Sequence, residues 1–214
     1  MKFISKINII SIFLLAATVA TAQDLPKPEI YFGVSGGATA SKVSFSPSVS
    51  QNYLIGATGG AMFRYIAEKY FGLQAEINFS QIGWKEKVVK ETNYIFSRRL
   101  NYIDIPFLTH IYFGDKTSIF VNLGPEIGFL IGQQGTAPAK SDAEQQIRNP
   151  QNNFDYGFAL GAGFSAPFHK NAIQLEIRGY YGMGDIYSNQ KKDYFDRSNN
   201  IKASVTLGYT FKYK

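Results

Sequence analysis

The chain contains no cysteine, and its only histidines are His110 and His169. Without cysteine the protein can form no disulfide bond, perform no thiolate chemistry and carry no lipid on an N-terminal cysteine. The two histidines are too far apart in sequence for a recognised zinc-ligand spacing. The glycine-rich stretch 33–37 is not followed by the helix and acidic residue of a dinucleotide-binding motif. We therefore expect neither a metal site nor a cofactor.

Long apolar runs are also missing beyond the N-terminal segment, which excludes a transmembrane helix in residues 23–214. At the start of the chain Lys2 and Lys6 precede a short apolar run, residues 7–19. Ala20-Thr21-Ala22 follows this run. This order is typical of a secretory signal peptide, so we predict cleavage after Ala22; an uncleaved anchor is the alternative. Residues 23–214 are expected to form one exported domain. A formal charge of +6 is weak evidence for nucleic acid, and we expect no such partner.

Apolar and polar residues alternate with period two, which is the pattern of a β-strand with two different faces. In the last such segment Val205 and Leu207 lie on one face, and Ser204 and Thr206 lie on the other. The segments with this alternation are 30–38, 53–65, 73–80, 102–111, 119–131, 154–168, 173–183 and 201–212. Together they predict eight strands.

The connections between these segments alternate in length. Short connections are expected near 67–70, 114–117 and 168–171, and long polar ones near 41–52, 86–97, 133–153 and 185–199. Transmembrane barrels have short periplasmic turns, long external loops and an even number of strands. The predicted fold is therefore all-β, an eight-stranded antiparallel up-and-down transmembrane β-barrel in the outer membrane of a Gram-negative bacterium.

The alternative to a membrane barrel is a soluble periplasmic barrel that buries its apolar face, often around a ligand. Two features favour the membrane barrel. Aromatic residues cluster at the strand ends, as in interfacial belts. In addition, charged residues occupy the polar faces in mid-strand: Arg64, Glu76, Asp104, Glu126, Glu176 and Arg178. Eight strands leave an interior just wide enough for side chains.

We interpret these six charged residues as a structural network that fills the lumen, because buried charges persist only when they are paired. A polar path or an ion site is the alternative. A filled lumen would conduct poorly, so a pore is disfavoured.

Basic residues of the predicted external loops are interleaved with aromatic ones and could contact other molecules. The candidate contact residues are Lys87, Lys90, Arg98, Lys191, Lys192 and Arg197. Outer-membrane lipid and lipopolysaccharide, and other outer-membrane or secretion proteins, are the expected partners. The alternative is that these are solvated loops whose charge only keeps them soluble.

No catalytic residue is predicted. Some small outer-membrane barrels are hydrolases or acyltransferases that use His, Ser and an acid at the external rim. His110 is expected to point inward near the periplasmic end of its strand, and no serine-nucleophile motif is present. Because a catalytic triad is a geometry rather than a spacing, a rim-sited lipid hydrolase or acyltransferase stays the third functional hypothesis.

Several blocks of the sequence resemble PorT-like outer-membrane barrels of Bacteroidetes. They are Arg64-Tyr65 with 68–76, then 81–85, the block Tyr102-Ile103-Asp104-Ile105-Pro106, residues 124–128 and the closing strand 204–211. The resemblance implies an eight-stranded outer-membrane barrel. Name-giving members are linked to secretion through the type IX system, so it also implies, as a second hypothesis, an accessory role in a secretion complex. Our first hypothesis is a non-enzymatic structural or interaction protein that uses its extracellular loops.

Overall fold

The computed structural model describes residues 28–87, 95–115, 117–136, 149–169, 171–187 and 196–213. These residues form eight strands: β1 (Glu29–Ser46), β2 (Gln51–Glu68), β3 (Phe71–Lys87), β4 (Ile95–Phe113), β5 (Ser118–Thr136), β6 (Phe154–Phe168), β7 (Asn171–Asp185) and β8 (Arg197–Lys212). The predicted signal peptide, residues 1–22, lies outside the described residues, as do Lys90, Lys191 and Lys192.

Each strand pairs antiparallel with the next one in the chain, and β1 pairs with β8, so the sheet closes into a barrel. The closing register runs from Tyr31 opposite Lys212 to Ser46 opposite Arg197. Closure removes every unpaired strand edge, which hydrocarbon would not tolerate. Among the described residues no helix is long and apolar enough to cross a membrane. The predicted all-β, eight-stranded antiparallel barrel is confirmed.

Large apolar side chains cover the outside of the barrel. At least half of each of the following side chains is exposed: Ile55, Leu73, Ile77, Phe107, Ile119, Leu123, Ile177 and Leu207. Water would disfavour each exposed square ångström by about 25 cal/mol, and monomeric soluble proteins rarely expose so large an apolar surface. The surface is therefore suited to lipid, and the polar residues of the same strands point inward.

The three short turns lie at one end of the barrel, together with the start of β1 and the end of β8. Their tightness is visible in the backbone, because Tyr70 and His169 have φ values of 76° and 59° and Gly114 has 117°. Short turns of transmembrane barrels face the periplasm, so this end is the periplasmic one. Exposed aromatic rings surround this end. The ring centroids of Phe32 and Phe211 are 6.1 Å apart, and those of Tyr70 and Phe113 are 5.7 Å apart.

The strands are longer at the other end than the sequence predicts. The prediction of a long connection at 41–52 is wrong, since β1 continues to Ser46 and β2 begins at Gln51. In this extension the direction of the alternation is inverted. Val43 and Phe45 are buried inside, whereas Lys42 and Ser44 face outward. A strand of 18 residues exceeds the roughly 9–11 needed to cross a bilayer, so the extension projects beyond the apolar surface.

Candidate functional site

The interior of the barrel is the candidate functional site, and its centre holds a cluster around Lys202 of β8. The ammonium of Lys202 contacts Asp104 of β4 and lies 2.6 Å from Glu126 Oε1 of β5. It also lies 4.9 Å from the centroid of the Tyr180 ring. All three charged side chains are almost completely buried, with 7% exposure for Lys202 and 2% for Glu126. One cation thus neutralises two carboxylates from neighbouring strands.

A second central cluster forms around Arg178 of β7. Its Nη2 lies 2.6 Å from Glu76 Oε1 of β3, across the lumen, and its Nε lies 2.9 Å from Glu176 Oε1. Neutral amides complete the cluster, because Asn78 Nδ2 donates to Glu76 at 2.7 Å and Asn122 Nδ2 donates to Glu176 at 3.1 Å. Both carboxylates therefore have a charged partner and a further donor, which is what burial of charge requires.

A cavity of about 30 Å³ lies between the two clusters. Its polar lining includes Glu76, Glu126, Glu176, Arg178 and Lys202. A space of this size accommodates about two water molecules.

Arg64 of β2 lies apart from both clusters, toward the periplasmic end. Its Nε donates to Gln74 Oε1 at 2.7 Å, and its Nη2 donates to Gln174 Oε1 at 3.0 Å. The guanidinium also lies 5.9 Å from the centroid of the Phe120 ring. Arg64 is thus held by neutral amides and an aromatic ring rather than by a carboxylate.

The extracellular half of the interior is filled by apolar and aromatic side chains. The buried members are Val43, Phe45, Ile82, Trp84, Leu100, Tyr102, Ile186 and Tyr187, which we call the aromatic plug. Trp84 lies 5.4 Å from Phe45 and 6.3 Å from Tyr187 between ring centroids. Its indole Nε1 donates to Glu86, at the end of β3 beyond the apolar surface. Burial raises the pKa of the Glu86 carboxyl, although the Trp84 hydrogen bond and the charge of Arg98 lower it in part.

The periplasmic end of the interior is open. A cavity of about 480 Å³, which we call the periplasmic vestibule, is lined there by side chains that include Tyr31, Arg64, Lys69, His110, Tyr112 and Lys212. Tyr31 and Tyr112, which are aromatic residues at strand ends, both form part of the wall of this cavity. Lys212 is paired with Glu29, which also accepts the hydroxyl hydrogen of Tyr31.

Comparison with known families agrees with this geometry. A family model described as the outer membrane protein beta-barrel domain matches residues 21–188. The chain belongs to this family. A comparison with curated proteins finds no significant match.

Solved structures of outer membrane barrels resemble this one in fold. OprG from Pseudomonas aeruginosa is 11% identical, with 85% of this chain and 95% of that chain covered and a TM-score of 0.50. Neisserial surface protein A is 12% identical, with 85% and 97% covered and a TM-score of 0.48. Ail of Yersinia pestis, in complex with the heparin analogue sucrose octasulfate, is 14% identical, with 86% and 99% covered and a TM-score of 0.45. At these identities the likeness with OprG concerns the fold alone.

The six predicted lumen charges of this outer membrane barrel all point inward, but they do not form one network. Glu76, Glu176 and Arg178 form one cluster, and Asp104 and Glu126 belong to the other, while Arg64 is joined to Glu76 only through the Gln74 amide. The cation that pairs with Asp104 and Glu126, Lys202, is not among the predicted residues. Its position on the polar face of the last segment, next to Ser204, was the signal that could have identified it.

The structure places the predicted external contact residues in different environments. Arg98 was assigned to an external loop, but it belongs to β4, where it shares the inward face with Leu100 and is only 4% exposed. Its Nη1 donates to Gln133 Oε1 at 2.8 Å. Arg98 is thus an interior residue, and the assignment to the surface is corrected. Arg197 is exposed at the start of β8, and the Lys87 side chain, like Lys90, Lys191 and Lys192, lies outside what the structure describes.

His110 is buried in the periplasmic half of the barrel. Its Nδ1 is 2.7 Å from Asn122 Oδ1, and its ring lies against Tyr112 and Phe120 at 5.6 and 5.3 Å between centroids. This position is far from the external rim, where a hydrolase site would need it. Within the described part of the chain, no group of three or more His, Asp and Glu side chains could hold a metal ion.

Proposed function

We propose that this outer membrane barrel is a closed, non-enzymatic interaction protein that binds its partners through the extracellular rim. The observation that carries the proposal is the filled interior. Leu100 and Asn122 have no exposed surface, and Trp84 has 1%. These residues belong to two successive layers, the aromatic plug and the charged centre. A solute would have to displace both layers to pass, so the lumen is unsuited to transport.

The extracellular extension supports an interaction role. Its strands stay hydrogen-bonded to one another beyond the apolar surface. Their apolar side chains point inward and their polar side chains point outward, so the extension has a packed apolar interior and a polar outside. Such a structure holds the longer connections, which follow β3, β5 and β7, on a rigid base away from the bilayer. Binding residues are commonly found on loops that a rigid scaffold positions.

Single cysteines provide a direct test, because the native chain contains none. Ser48, in the exposed turn after β1, and Asp115, in an exposed periplasmic turn, are matched positions at opposite ends of the barrel. We expect a thiol-attached photocrosslinker to give a discrete adduct in intact cells from Ser48→Cys and none from Asp115→Cys. The opposite result would support the second candidate, an accessory role in secretion. The PorT-like resemblance and the open periplasmic vestibule favour that alternative.

The purified native barrel should show no stepwise conductance in planar lipid bilayers. Regular conductance steps would contradict a closed lumen and would return a narrow pore to consideration.

We propose outer-leaflet glycolipid as a further partner. Lys42, Lys85 and Arg99 lie on the outward faces of β1, β3 and β4 above the apolar surface, where alternation with buried neighbours points them outward. The Lys42 ammonium lies 5.5 Å from the centroid of the Tyr53 ring. Cations and aromatic rings at this height suit the phosphate groups and sugars of an anionic glycolipid.

Removing two of these cations should weaken glycolipid binding. A basic residue near an anionic membrane surface contributes about 1 kcal/mol, or about fivefold in affinity. We therefore expect the Lys85→Gln/Arg99→Gln variant to retain much less glycolipid phosphate after purification than the native barrel. Lys69→Gln, in a periplasmic turn, is the control and should retain the native amount. Equal retention in both variants would disprove the glycolipid assignment.

A further inference from the structure

We propose that the periplasmic vestibule binds a small organic anion from the periplasm, whose carboxylate or phosphate group is held by Arg64. This inference is independent of the extracellular interaction role proposed above. The volume of the vestibule, about 480 Å³, exceeds that of a bare phosphate and lies in the range of small-molecule sites, roughly 300–1,000 Å³.

Arg64 is a buried cation whose hydrogen-bonding capacity is incompletely used. It is only 5% exposed, and its position on β2 places it on the inner wall of the vestibule. Its Nε and Nη2 donate to the amide oxygens of Gln74 and Gln174. Among the described residues Arg64 donates no hydrogen bond through Nη1. The guanidinium borders the open vestibule, where a ligand can reach it, and an oxyanion is the ligand that a guanidinium binds best.

The carboxylates nearest to Arg64 do not need it as a partner. Arg178 already donates four hydrogen bonds to Glu76 and Glu176, from its three guanidinium nitrogens at 2.6 to 3.0 Å. Gln74, which accepts from Arg64, also donates to Glu76 and so separates the two charges. Arg64 is therefore an additional cation, placed between the charged centre and the periplasm.

The mouth of the vestibule carries further charges of both signs. Lys69 lies in the turn after β2 and Lys212 near the end of β8. Glu29 is occupied by Lys212 and the Tyr31 hydroxyl, and Asp115 is exposed at the edge. Counting Arg64, the vestibule has three cations and two carboxylates, so it is weakly attractive for anions. The rings of Tyr31 and Tyr112 offer a surface for the organic part of a ligand.

Arginine side-chain NMR of the intact barrel in phosphatidylcholine nanodiscs would test the site, with inorganic phosphate and phenyl phosphate as probes. We expect a saturable shift of the Arg64 Nε–H signal with both probes and no shift of the Arg178 signal. Phenyl phosphate should bind more tightly. Arg64→Gln lacks the Nε–H signal, so its binding is followed by the phosphorus-31 signal of the probe. Binding to this variant should be about 10- to 100-fold weaker, the effect of losing a charged hydrogen bond.

Two further variants keep the test independent of folding. Lys69→Gln changes an exposed turn residue and should weaken binding about two- to fivefold. Arg197→Gln, at the opposite end, should bind as the native barrel does. The proposal would be overturned by the absence of a saturable shift, or by equal binding to the native barrel and a folded Arg64→Gln variant. A shift that occurs only when phosphatidylglycerol replaces phosphatidylcholine, without added probe, would assign the site to a lipid headgroup instead.

Discussion

Replacing Lys202 with methionine should lower the free energy of unfolding of the barrel by about 3–5 kcal/mol, the usual cost of removing one partner from a buried ion pair. The lysine is the only cation in contact with Asp104 and Glu126 among the described residues. Without it, two carboxylates would stand side by side inside the barrel with no cation to neutralise them. Urea unfolding in phospholipid vesicles, followed by Trp84 fluorescence, would measure the loss.

Lys212→Met is a matched control on the same strand. Lys212 also pairs with a carboxylate, Glu29, but the two side chains are 41% and 36% exposed. Exposed ion pairs contribute roughly 0–1 kcal/mol, so this variant should be nearly as stable as the native barrel. A triple variant, Lys202→Met/Asp104→Asn/Glu126→Gln, should recover much of the loss because no unpaired charge remains. Equal stability of the two lysine variants would mean that the central cluster does not stabilise the barrel.

The part of the fold within the membrane could be predicted because one rule governs it. Lipid requires apolar side chains outside, and a narrow lumen requires small or polar ones inside, so the two faces differ strongly in composition. On β6, for example, Phe158 and Leu160 point outward while Gly157 and Ala159 point inward. The hydrophobic alternation therefore identified every strand and, within the membrane, which face of the strand points inward.

The same rule failed at the extracellular end because water replaces lipid there. Val43 and Phe45 are inside and Lys42 is outside, which is the reverse of the pattern in the membrane. A sequence pattern specifies two faces but does not specify which of them is inside. For this reason the sequence predicts a loop at the end of β1 and a surface position for Arg98, and neither prediction is correct.

The partners within the interior could be predicted only in part. The sequence identified six inward charges but neither Lys202 nor Arg98. It also could not show that Arg178 on β7 meets Glu76 on β3 across the lumen, 102 positions away in the chain. Such contacts depend on the stagger of the strands around the barrel, which hydrophobic alternation does not encode. The vestibule likewise arises from the shape of the periplasmic end, where the inward side chains do not meet.

Replacing Trp84 with alanine should also destabilise the barrel by about 3–5 kcal/mol, as is typical for a large aromatic residue removed from a packed core. Trp84 is 1% exposed and lies at the centre of the aromatic plug, against Phe45 and Tyr187. The neighbouring backbone is fixed by strand pairing, so the plug cannot collapse into the cavity that the alanine would leave. Gel mobility of the folded barrel during urea titration would report the loss without relying on tryptophan fluorescence.

Two control variants separate packing from hydrogen bonding and from general sensitivity. Trp84→Phe keeps a ring but removes the donor to Glu86, and it should cost about 1–3 kcal/mol, the cost of leaving a buried polar group without its partner. Ile55→Ala, on the outward face with 59% exposure, should cost less than either Trp84 variant because it opens no cavity. If Trp84→Ala were no more destabilising than Ile55→Ala, the plug would be a loose filling. In that case the charged centre alone would keep the lumen closed.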